Sequence, residues 1–354
     1  MVAVTKSTTQ FLAWAAAKGI ETPLELNQRS DGSRYTTCTV ELGKTADVLK
    51  VPISACITCD SLEGLSERLA YEKKLQSKSD YAPYIDVLPT LERNSDSRIS
   101  SYLASLPRFW ESKRLEKVAD GGQLERRMLK DERRDLDQWA LACVDSRANF
   151  LGDGMYAMTP FLDMINHDAS IKTQARVDKD KGFAGLGDIL RLQSGKMYAK
   201  GSEVFINYGN LSNLDTLVDY GFVSEKNQYN VEAILVRMMG QQPFVLNIYA
   251  NGSIDAGSKA TLRYYLATPE ELEVFSSVEK GSGLGILAKP LSDRNEIDVQ
   301  SFIASTIDES LFEAKVGAAE TKDDALINMY LSERAKQFEV AIERITKKFP
   351  GIEY

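Results

Sequence analysis

The sequence predicts an α+β fold, in which two blocks of short strands flank a charged helical stretch and a second helical region follows. Alternating and β-branched residues indicate strands near Tyr35–Leu42 and Val48–Pro52, and strand character returns from Gln174 to Tyr208. Residues from about Ser61 to Ala142 are charged and helical, and helical spacing dominates again after residue 235. The second strand block must therefore join the first to complete a sheet.

The helices follow from the spacing of apolar residues. A first helix is predicted near Thr9–Lys18, and Leu62, Leu65 and Leu69 recur at helical spacing at the start of the charged stretch. The last long segment, Asp323–Phe349, carries one broad apolar stripe that we expect to pack in a core. The stripe consists of Ile327, Tyr330, Leu331, Phe338, Ala341, Ile342 and Ile345.

Composition is that of a globular protein. With 354 residues, 43% hydrophobic and 27% charged, the chain is long enough for two domains with cores of their own. No run of eighteen apolar residues occurs, so no membrane span is expected. Met1–Gln10 has neither the apolar core of a signal peptide nor the Arg-rich character of a transit peptide.

Cysteine usage and charge limit the function classes. Four scattered cysteines predict an intracellular reducing compartment. Cys56 and Cys59 have redox or zinc spacing, but a chain with one histidine and no second Cys pair is not expected to bind a metal. The net charge is −8, and residues 231–354 contribute −6 of it, from 19 acidic and 13 basic residues. An acidic surface disfavours nucleic acid as a partner. The acidic region is either a solvated helix face or a surface that attracts a basic substrate protein.

Two segments about forty residues apart carry the functional signal. They are Phe161–Asp168, which contains the only histidine of the chain, and Val204–Gly209. Each opens with apolar residues and closes on polar groups beside a turn former, a layout that delivers side chains to a cleft. Alone, His167 is more often a structural histidine of a core or cap than a functional one. A functional site is favoured only because further segments, in the same order along the chain, agree with these two.

These segments resemble the two signature segments of the SET-domain protein methyltransferases. Trp139–Phe150 before them, and Asn210–Asn213 and Asp219–Val223 after them, are similar to the Rubisco lysine methyltransferase branch of that family. Fainter similarity extends over the first helix and into the helical stretch. The resemblance covers about two thirds of the chain and thins beyond residue 235.

The resemblance implies a domain organisation. We expect SET-domain β-sheets with a pseudoknot, interrupted by a helical insert and followed by an all-α C-terminal domain. The N-terminal part of the SET domain would occupy residues 1–60, the insert 61–142, the C-terminal part with the site 143–235, and a helical substrate-binding domain 236–354.

The resemblance also implies an activity, namely transfer of a methyl group from S-adenosylmethionine to a lysine amine of a non-histone protein. Tyr208 would be the catalytic residue. The residues implied to bind S-adenosylmethionine are Asp31, Gly32, Ser33, Arg34, Arg147, Asn166, His167 and Tyr208. Ser146, Asp163 and Tyr220 would border the lysine substrate. Simpler alternatives remain: a structural ion pair between Arg147 and Asp163, an ordinary turn aromatic at Tyr220, and a plain turn at Asp31–Arg34.

One departure from the family pattern keeps other functions open. The family places a Gly-x-Gly turn before the Val-Pro strand, where this chain retains only Gly32. Because glycine allows close approach of the backbone to a ligand, its loss favours a catalytically silent SET-fold binding module as the alternative. A protein-histidine N-methyltransferase is another. The expected partner is a protein substrate with a lysine-bearing segment, not nucleic acid or a membrane, and the chain is expected to be a monomer in the cytoplasm or plastid stroma.

Overall fold

The computed structural model describes residues 6–29, 33–91, 102–129, 133, 135–172, 174–179, 187–276, 283–352 and 354. The helices are α1 Lys6–Ala17, α2 Leu62–Leu75, α3 Ala82–Ile85, α4 Ser112–Leu115, α5 Gln123–Leu129, α6 Gln138–Arg147, α7 Asn213–Tyr220, α8 Ala256–Tyr265, α9 Pro269–Ser276, α10 Gly283–Leu287, α11 Asp293–Glu320 and α12 Ala325–Lys348. The strands are β1 Leu24–Gln28, β2 Arg34–Cys38, β3 Asp47–Pro52, β4 Ile57–Cys59, β5 Ala148–Gly152, β6 Met155–Met158, β7 Asn166–His167, β8 Gln174–Asp178, β9 Ile189–Gln193, β10 Phe205–Ile206, β11 Val231–Val236 and β12 Phe244–Tyr249.

The chain divides into two compact units. The first lies within Met1–Phe109, Asp131–Asn210 and Asp219–Gly221, and the second within Trp110–Lys130, Leu211–Val218 and Phe222–Tyr354. Neither unit is continuous in sequence. The division into four domains expected from the sequence remains a prediction. Among the described residues, no helix is both long enough and apolar enough to cross a membrane.

Sheets of the first unit join strands from both sides of the helical stretch. β3 pairs antiparallel with β9, with Val51 opposite Leu190, and β9 pairs in turn with β8. β4 pairs antiparallel with β6, with Ile57 opposite Met158. The prediction that the second strand block joins the first is therefore confirmed. The predicted first helix and the strand ending at Pro52 are confirmed by α1 and β3.

Side-chain caps fix where the main helices begin. Ser61 accepts a hydrogen bond from the Gly64 amide at the start of α2, and Asp137 accepts one from Ala140 at the start of α6. Ser292 and Asp324 do the same for α11 and α12. Each cap satisfies an amide that has no partner within its helix.

The core of the first unit lies around α1 and α6. Phe11 is fully buried, and its ring centroid lies 5.0 Å from that of Phe161. The Trp139 indole donates a 2.6 Å hydrogen bond to the Pro89 carbonyl, and the Lys73 ammonium lies 3.5 Å from the centroid of that ring. α6 is buried along most of its length, which fixes the position of its C-terminal end.

The second unit is built on the hairpin β11–β12 and the long helices α11 and α12. The stripe predicted on the last helix is buried, except for Ile342, which is partly buried, so its assignment to the core is confirmed. In one of its two cores, residues of α12 pack with residues from distant parts of the chain. The buried members of that core are Trp110, Leu124, Leu217, Val218, Val223, Ile327, Tyr330 and Leu331.

A buried ion pair lies inside the second unit. The Arg334 guanidinium donates to the Glu232 carboxylate, and each side chain is only 3% exposed. Asn230 donates to the same carboxylate at 3.0 Å and to the Gln337 side-chain oxygen at 2.7 Å. Because a buried charge without a partner carries a large desolvation penalty, both members of the pair are required.

We expect Arg334→Met to lower the free energy of unfolding by about 3 to 5 kcal/mol, because the Glu232 carboxylate would lose its charged partner. The control is Lys315→Met, which breaks the Lys315–Glu339 pair, whose side chains are 55% and 50% exposed. That change should cost less than about 1 kcal/mol. Urea unfolding followed by circular dichroism measures both, and equal losses would contradict the prediction.

Candidate active site

The two signature segments lie side by side in the first unit. β7 and β10 pair in parallel, with Phe205 opposite Asn166 and Ile206 opposite His167. The Asp168 amide extends the pairing by donating to the Ile206 carbonyl at 2.9 Å. Residues about forty positions apart in the sequence therefore enter one site on adjacent backbones.

His167 positions the backbone of Tyr208. Its Nδ1 accepts a 3.0 Å hydrogen bond from the Tyr208 amide, and the two ring centroids are 5.1 Å apart. Burial lowers the pKa of the imidazole. Because an accepting ring nitrogen carries no proton, the neutral ring has its proton on Nε2. The only histidine of the chain thus acts here as a neutral acceptor.

The Tyr208 hydroxyl is held in a fixed direction. It donates a 2.8 Å hydrogen bond to the Ile165 carbonyl, which directly precedes the Asn-His pair. Burial raises the pKa of Tyr208 above its ordinary value, so the hydroxyl remains protonated and donates. The Tyr220 ring lies 4.9 Å away, inclined by 32°, and the two rings form an aromatic wall.

Asp163 is a buried carboxyl that follows a strained residue. Phe161 has φ of +68°, which a bulky side chain rarely adopts, and the short 3-10 turn Leu162–Met164 follows it. Tyr84 donates to Asp163 Oδ2 at 2.7 Å, whereas Oδ1 has no partner among the described residues. Burial raises the pKa of Asp163 to about 6.

The C-terminal end of α6 supplies Ser146 and Arg147. The Ser146 hydroxyl donates to the Ala142 carbonyl at 2.7 Å and accepts from the Tyr102 hydroxyl at 2.8 Å. The Arg147 guanidinium lies 5.2 Å from the centroid of the Tyr102 ring and donates to the main-chain carbonyl of Asp163. Arg147 therefore contacts Asp163 through the backbone, which differs from the simple side-chain ion pair considered for these two residues.

Asn166 links β7 to the N-terminal loop. Its amide nitrogen donates to Glu203 at 2.8 Å and to the Arg34 carbonyl at 3.4 Å. The Ser33 carbonyl accepts from the Arg29 amide at 2.8 Å. The other two residues predicted for this loop, Asp31 and Gly32, lie outside the described residues.

Positive charge collects at this end of the site. Burial and the nearby Arg147 charge lower the pKa of the Arg34 guanidinium. Arg147 also keeps a buried Nε–H without an acceptor in the described chain. The Arg34 guanidinium also donates to the Thr8 hydroxyl at 3.1 Å. Two guanidinium groups that interact electrostatically, one of them with an unused donor, are suited to an anion, and a carboxylate is a preferred partner of arginine. The site therefore fits a ligand that carries a carboxylate.

Three polar partners were not predicted from the sequence. Glu203 holds Asn166 and also pairs with Arg29 at 2.8 Å. Tyr84 and Tyr102 hydrogen bond to Asp163 and Ser146. Tyr84 lies in a segment whose resemblance to the family was noted, but its side chain had no assigned role. For Glu203 and Tyr102 we find no sequence signal.

Of the cysteine pair, Cys56 is buried and interacts electrostatically with Asp163. All four cysteines are free thiols, and burial raises the pKa of Cys56 to about 12. A thiol with a raised pKa is a poor nucleophile and metal ligand. Across the described ranges, no group of three or more His, Cys, Asp or Glu residues is arranged to hold a metal ion.

Comparison with solved structures identifies the fold as that of a SET domain. A crystal structure of the SET domain of LSMT bound to methyllysine and AdoHcy superposes with a TM-score of 0.74 and 17% identity, covering 99% of this chain and 95% of that one. A structure of Rubisco LSMT bound to AdoMet gives a TM-score of 0.68 at 16% identity, covering 98% and 92%. The predicted SET fold with its helical C-terminal region is confirmed; within 236–354, β12 precedes the long helices.

Sequence relatives agree with this fold. The chain is 29% identical over 203 residues to the chloroplastic fructose-bisphosphate aldolase-lysine N-methyltransferase of Arabidopsis thaliana, covering 49% of this chain and 39% of the relative. It is 30% identical over 111 residues to the Rubisco large subunit N-methyltransferase of Pisum sativum, covering 30% and 23%. It is 26% identical over 193 residues to an actin-histidine N-methyltransferase of Danio rerio, covering 47% and 31%.

The matched regions span less than half of the length of these three relatives. No protein-family model matches the chain. The resemblance to the Rubisco methyltransferase branch predicted from the signature segments is nevertheless confirmed by both comparisons. The roles of individual residues remain predictions.

The raised pKa of Asp163 predicts a pH dependence of stability. The folded carboxyl ionises near pH 6 and the unfolded one near its usual 3.8, so its contribution is complete at low pH and is lost as the pH rises to about 6. Asp163→Asn removes this ionisation. Its free energy of unfolding relative to wild type should therefore increase by up to about 3 kcal/mol between about pH 4 and pH 7. Denaturant titrations across this range measure the difference, and a constant difference would refute the assignment.

Proposed function

We propose that this protein is an S-adenosylmethionine-dependent protein N-methyltransferase that acts on a lysine amine of a non-histone protein. The observation that carries the proposal is the fixed Tyr208 hydroxyl, aligned through Ile165 and His167 and faced by Tyr220. Lysine methyltransferases among the sequence relatives, and AdoHcy and methyllysine bound in a protein of the same fold, support it.

Arg147, Asn166, His167 and the Ser33–Arg34 turn would hold S-adenosylmethionine. When bound, it supplies the methyl group on a positively charged sulfur. The Arg147 and Arg34 guanidinium groups fit its carboxylate, and the unused Nε–H of Arg147 offers a donor for it. The Asn166 amide keeps the Arg34 backbone next to β7 through its 3.4 Å hydrogen bond.

The residues around Tyr208 would prepare the lysine. A free lysine with a pKa of about 10.4 is protonated and has no lone pair for attack. Burial between the Tyr208 and Tyr220 rings would lower that pKa by desolvation. The site then needs little acid–base chemistry, and positioning of the amine can supply much of the rate. This requirement agrees with a neutral His167 that aligns the Tyr208 backbone.

A histidine side chain is the alternative methyl acceptor. The similarity to an actin-histidine N-methyltransferase supports this alternative. A silent SET-fold binding module is the alternative without chemistry. Incubating the purified chain with radiolabelled S-adenosylmethionine and a lysate of its own source tests for transfer, and mass spectrometry then locates the modified residue. Calorimetry without detectable binding of S-adenosylmethionine would leave only the silent module.

The cellular setting belongs to the same proposal. Two of the lysine methyltransferases that this chain matches are chloroplast proteins, which supports the plastid stroma over the cytoplasm. We propose a monomer whose partner is the methyl-accepting protein. The acidic surface disfavours nucleic acid as that partner.

We expect Tyr208→Phe to reduce turnover at least about a hundredfold, because one oriented hydroxyl that acts in the transition state contributes about 2.7 to 4 kcal/mol. Affinity for S-adenosylmethionine by calorimetry should change little. Tyr156→Phe is the matched control, since its hydroxyl has no hydrogen bond in the described structure and its ring lies against Phe150. A Tyr208→Phe enzyme with full turnover would remove Tyr208 from the catalytic role.

Asn166→Ala should show the opposite pattern. The change removes the hydrogen bonds to Glu203 and Arg34, so the loop beside the proposed S-adenosylmethionine site loses its anchor. We expect calorimetric affinity to fall by about 1 to 3 kcal/mol, or roughly 5- to 150-fold, before any loss of turnover at saturation. Equal affinity in wild type and variant would exclude the Asn-His segment from the binding site.

A further inference from the structure

A groove of about 490 Å³ lies within the second unit, lined by β11 and by one face of α11. Leu235 and Arg237 line it from the strand, and Phe302, Glu309 and Glu313 from the helix. None of the site residues described above contributes to it. A groove between a strand and a helix suits an extended chain, if the strand edge is open and the helix face recognises side chains.

The edge of β11 that faces away from β12 is open at Leu235, whereas at Ala233 the amide donates to the Gln123 side-chain oxygen at 3.2 Å. The amide of Asn247, opposite Ala233, donates to Ser258, and its carbonyl accepts from Asp255. Ala233 and Asn247 are therefore a pair without mutual hydrogen bonds. Because this type of pair recurs at every second residue of an antiparallel ladder, Leu235 and Val245 are also a pair without mutual hydrogen bonds. The N–H and C=O of Leu235 consequently point away from β12, on the side that lines the groove. Neither has a partner in the described structure.

The helix wall of the groove carries two like charges that repel each other and do not stabilise the fold. Glu309 and Glu313 are exposed, one turn apart on the same face of α11, and make no ion pair with any described residue. Like charges at this spacing destabilise a helix. The exposed basic residue of the lining is Arg237, at the end of the strand. The wall opposite the open strand is thus acidic.

Arg334 adds an unsatisfied donor to the same groove. Its side chain is 3% exposed and lines the groove, while its Nε–H has no acceptor in the described chain. A buried donor without an acceptor is costly. A peptide carbonyl that enters beside it would supply the missing acceptor.

We propose that this groove binds an extended segment of a partner protein as a strand added to β11, with basic side chains directed at Glu309 and Glu313. Alternate side chains of a strand lie on one face, about 7 Å apart, and side chains one helical turn apart are about 5 to 6 Å apart. Two basic residues separated by one position therefore match the acidic pair. The identity of the partner as methyl acceptor rests on the function proposed above, whereas binding in the groove does not.

The test uses full-length protein without S-adenosylmethionine and a fluorescein-labelled peptide of alternating lysine and valine. Fluorescence anisotropy should show saturable binding, and the same peptide with glutamate for lysine should not bind. Glu309→Gln with Glu313→Gln should weaken binding about 2- to 30-fold, as expected for two exposed ion pairs, and should not lower the melting temperature. The control, Asp308→Asn with Glu320→Gln, removes the same charge from exposed positions of α11 outside the groove.

Strand addition is tested separately with a peptide N-methylated at alternate amides. This change keeps every charge but removes the N–H groups that a strand would donate to β11, so binding should fall at least about tenfold. Equal binding of the N-methylated peptide would overturn strand addition. If the double variant at Glu309 and Glu313 and the control variant at Asp308 and Glu320 lost peptide affinity equally, the acidic pair would not be the recognition element. Calorimetry with S-adenosylmethionine on the same variants reports on the methyl-transfer site independently.

Discussion

The parallel pairing of β7 with β10 is the constraint on which the candidate active site depends. It places the strand that contains Asn166 and His167 directly beside the strand that leads to Tyr208. The Tyr208 amide then reaches His167, and its hydroxyl reaches the Ile165 carbonyl, so both ends of the residue are fixed by one short stretch of chain. A shift of one residue in this register would turn these side chains to the opposite face.

The surroundings of Tyr208 are held by burial more than by ion pairs. The strained Phe161 is kept in place by aromatic packing on Phe11, and Asp163 is fixed by the Tyr84 hydroxyl. Arg147 approaches the carbonyl of Asp163, which leaves the Oδ1 of that residue without a partner in the described structure. Strain and unsatisfied polar atoms in one place are typical of functional sites.

Local patterns predicted the elements well because each depends on neighbouring residues. The stripe of the last helix and the strand ending at Pro52 are visible in the spacing of their own side chains. Contacts such as Glu203 with Asn166, or Tyr84 with Asp163, join residues 37 and 79 positions apart and leave no periodic trace. The open position at Leu235 on the edge of β11 could likewise not be predicted, because it depends on the partners that Asn247 finds elsewhere in the chain. The signature segments were recognised only by their resemblance to a family.

The discontinuous second unit also sets an order of events during synthesis. Its core packs Trp110 and Leu124 against Tyr330 and Leu331 of α12, near the end of the chain. A ribosome adds about 5 to 20 residues per second, so Trp110 is made roughly 10 to 45 s before the residues that cover it. During that interval the exposed apolar surface is a natural target for chaperones. The unit can therefore close its core only when the last helix has been synthesised. Until then, the apolar side chains of its earlier segments remain exposed on the nascent chain.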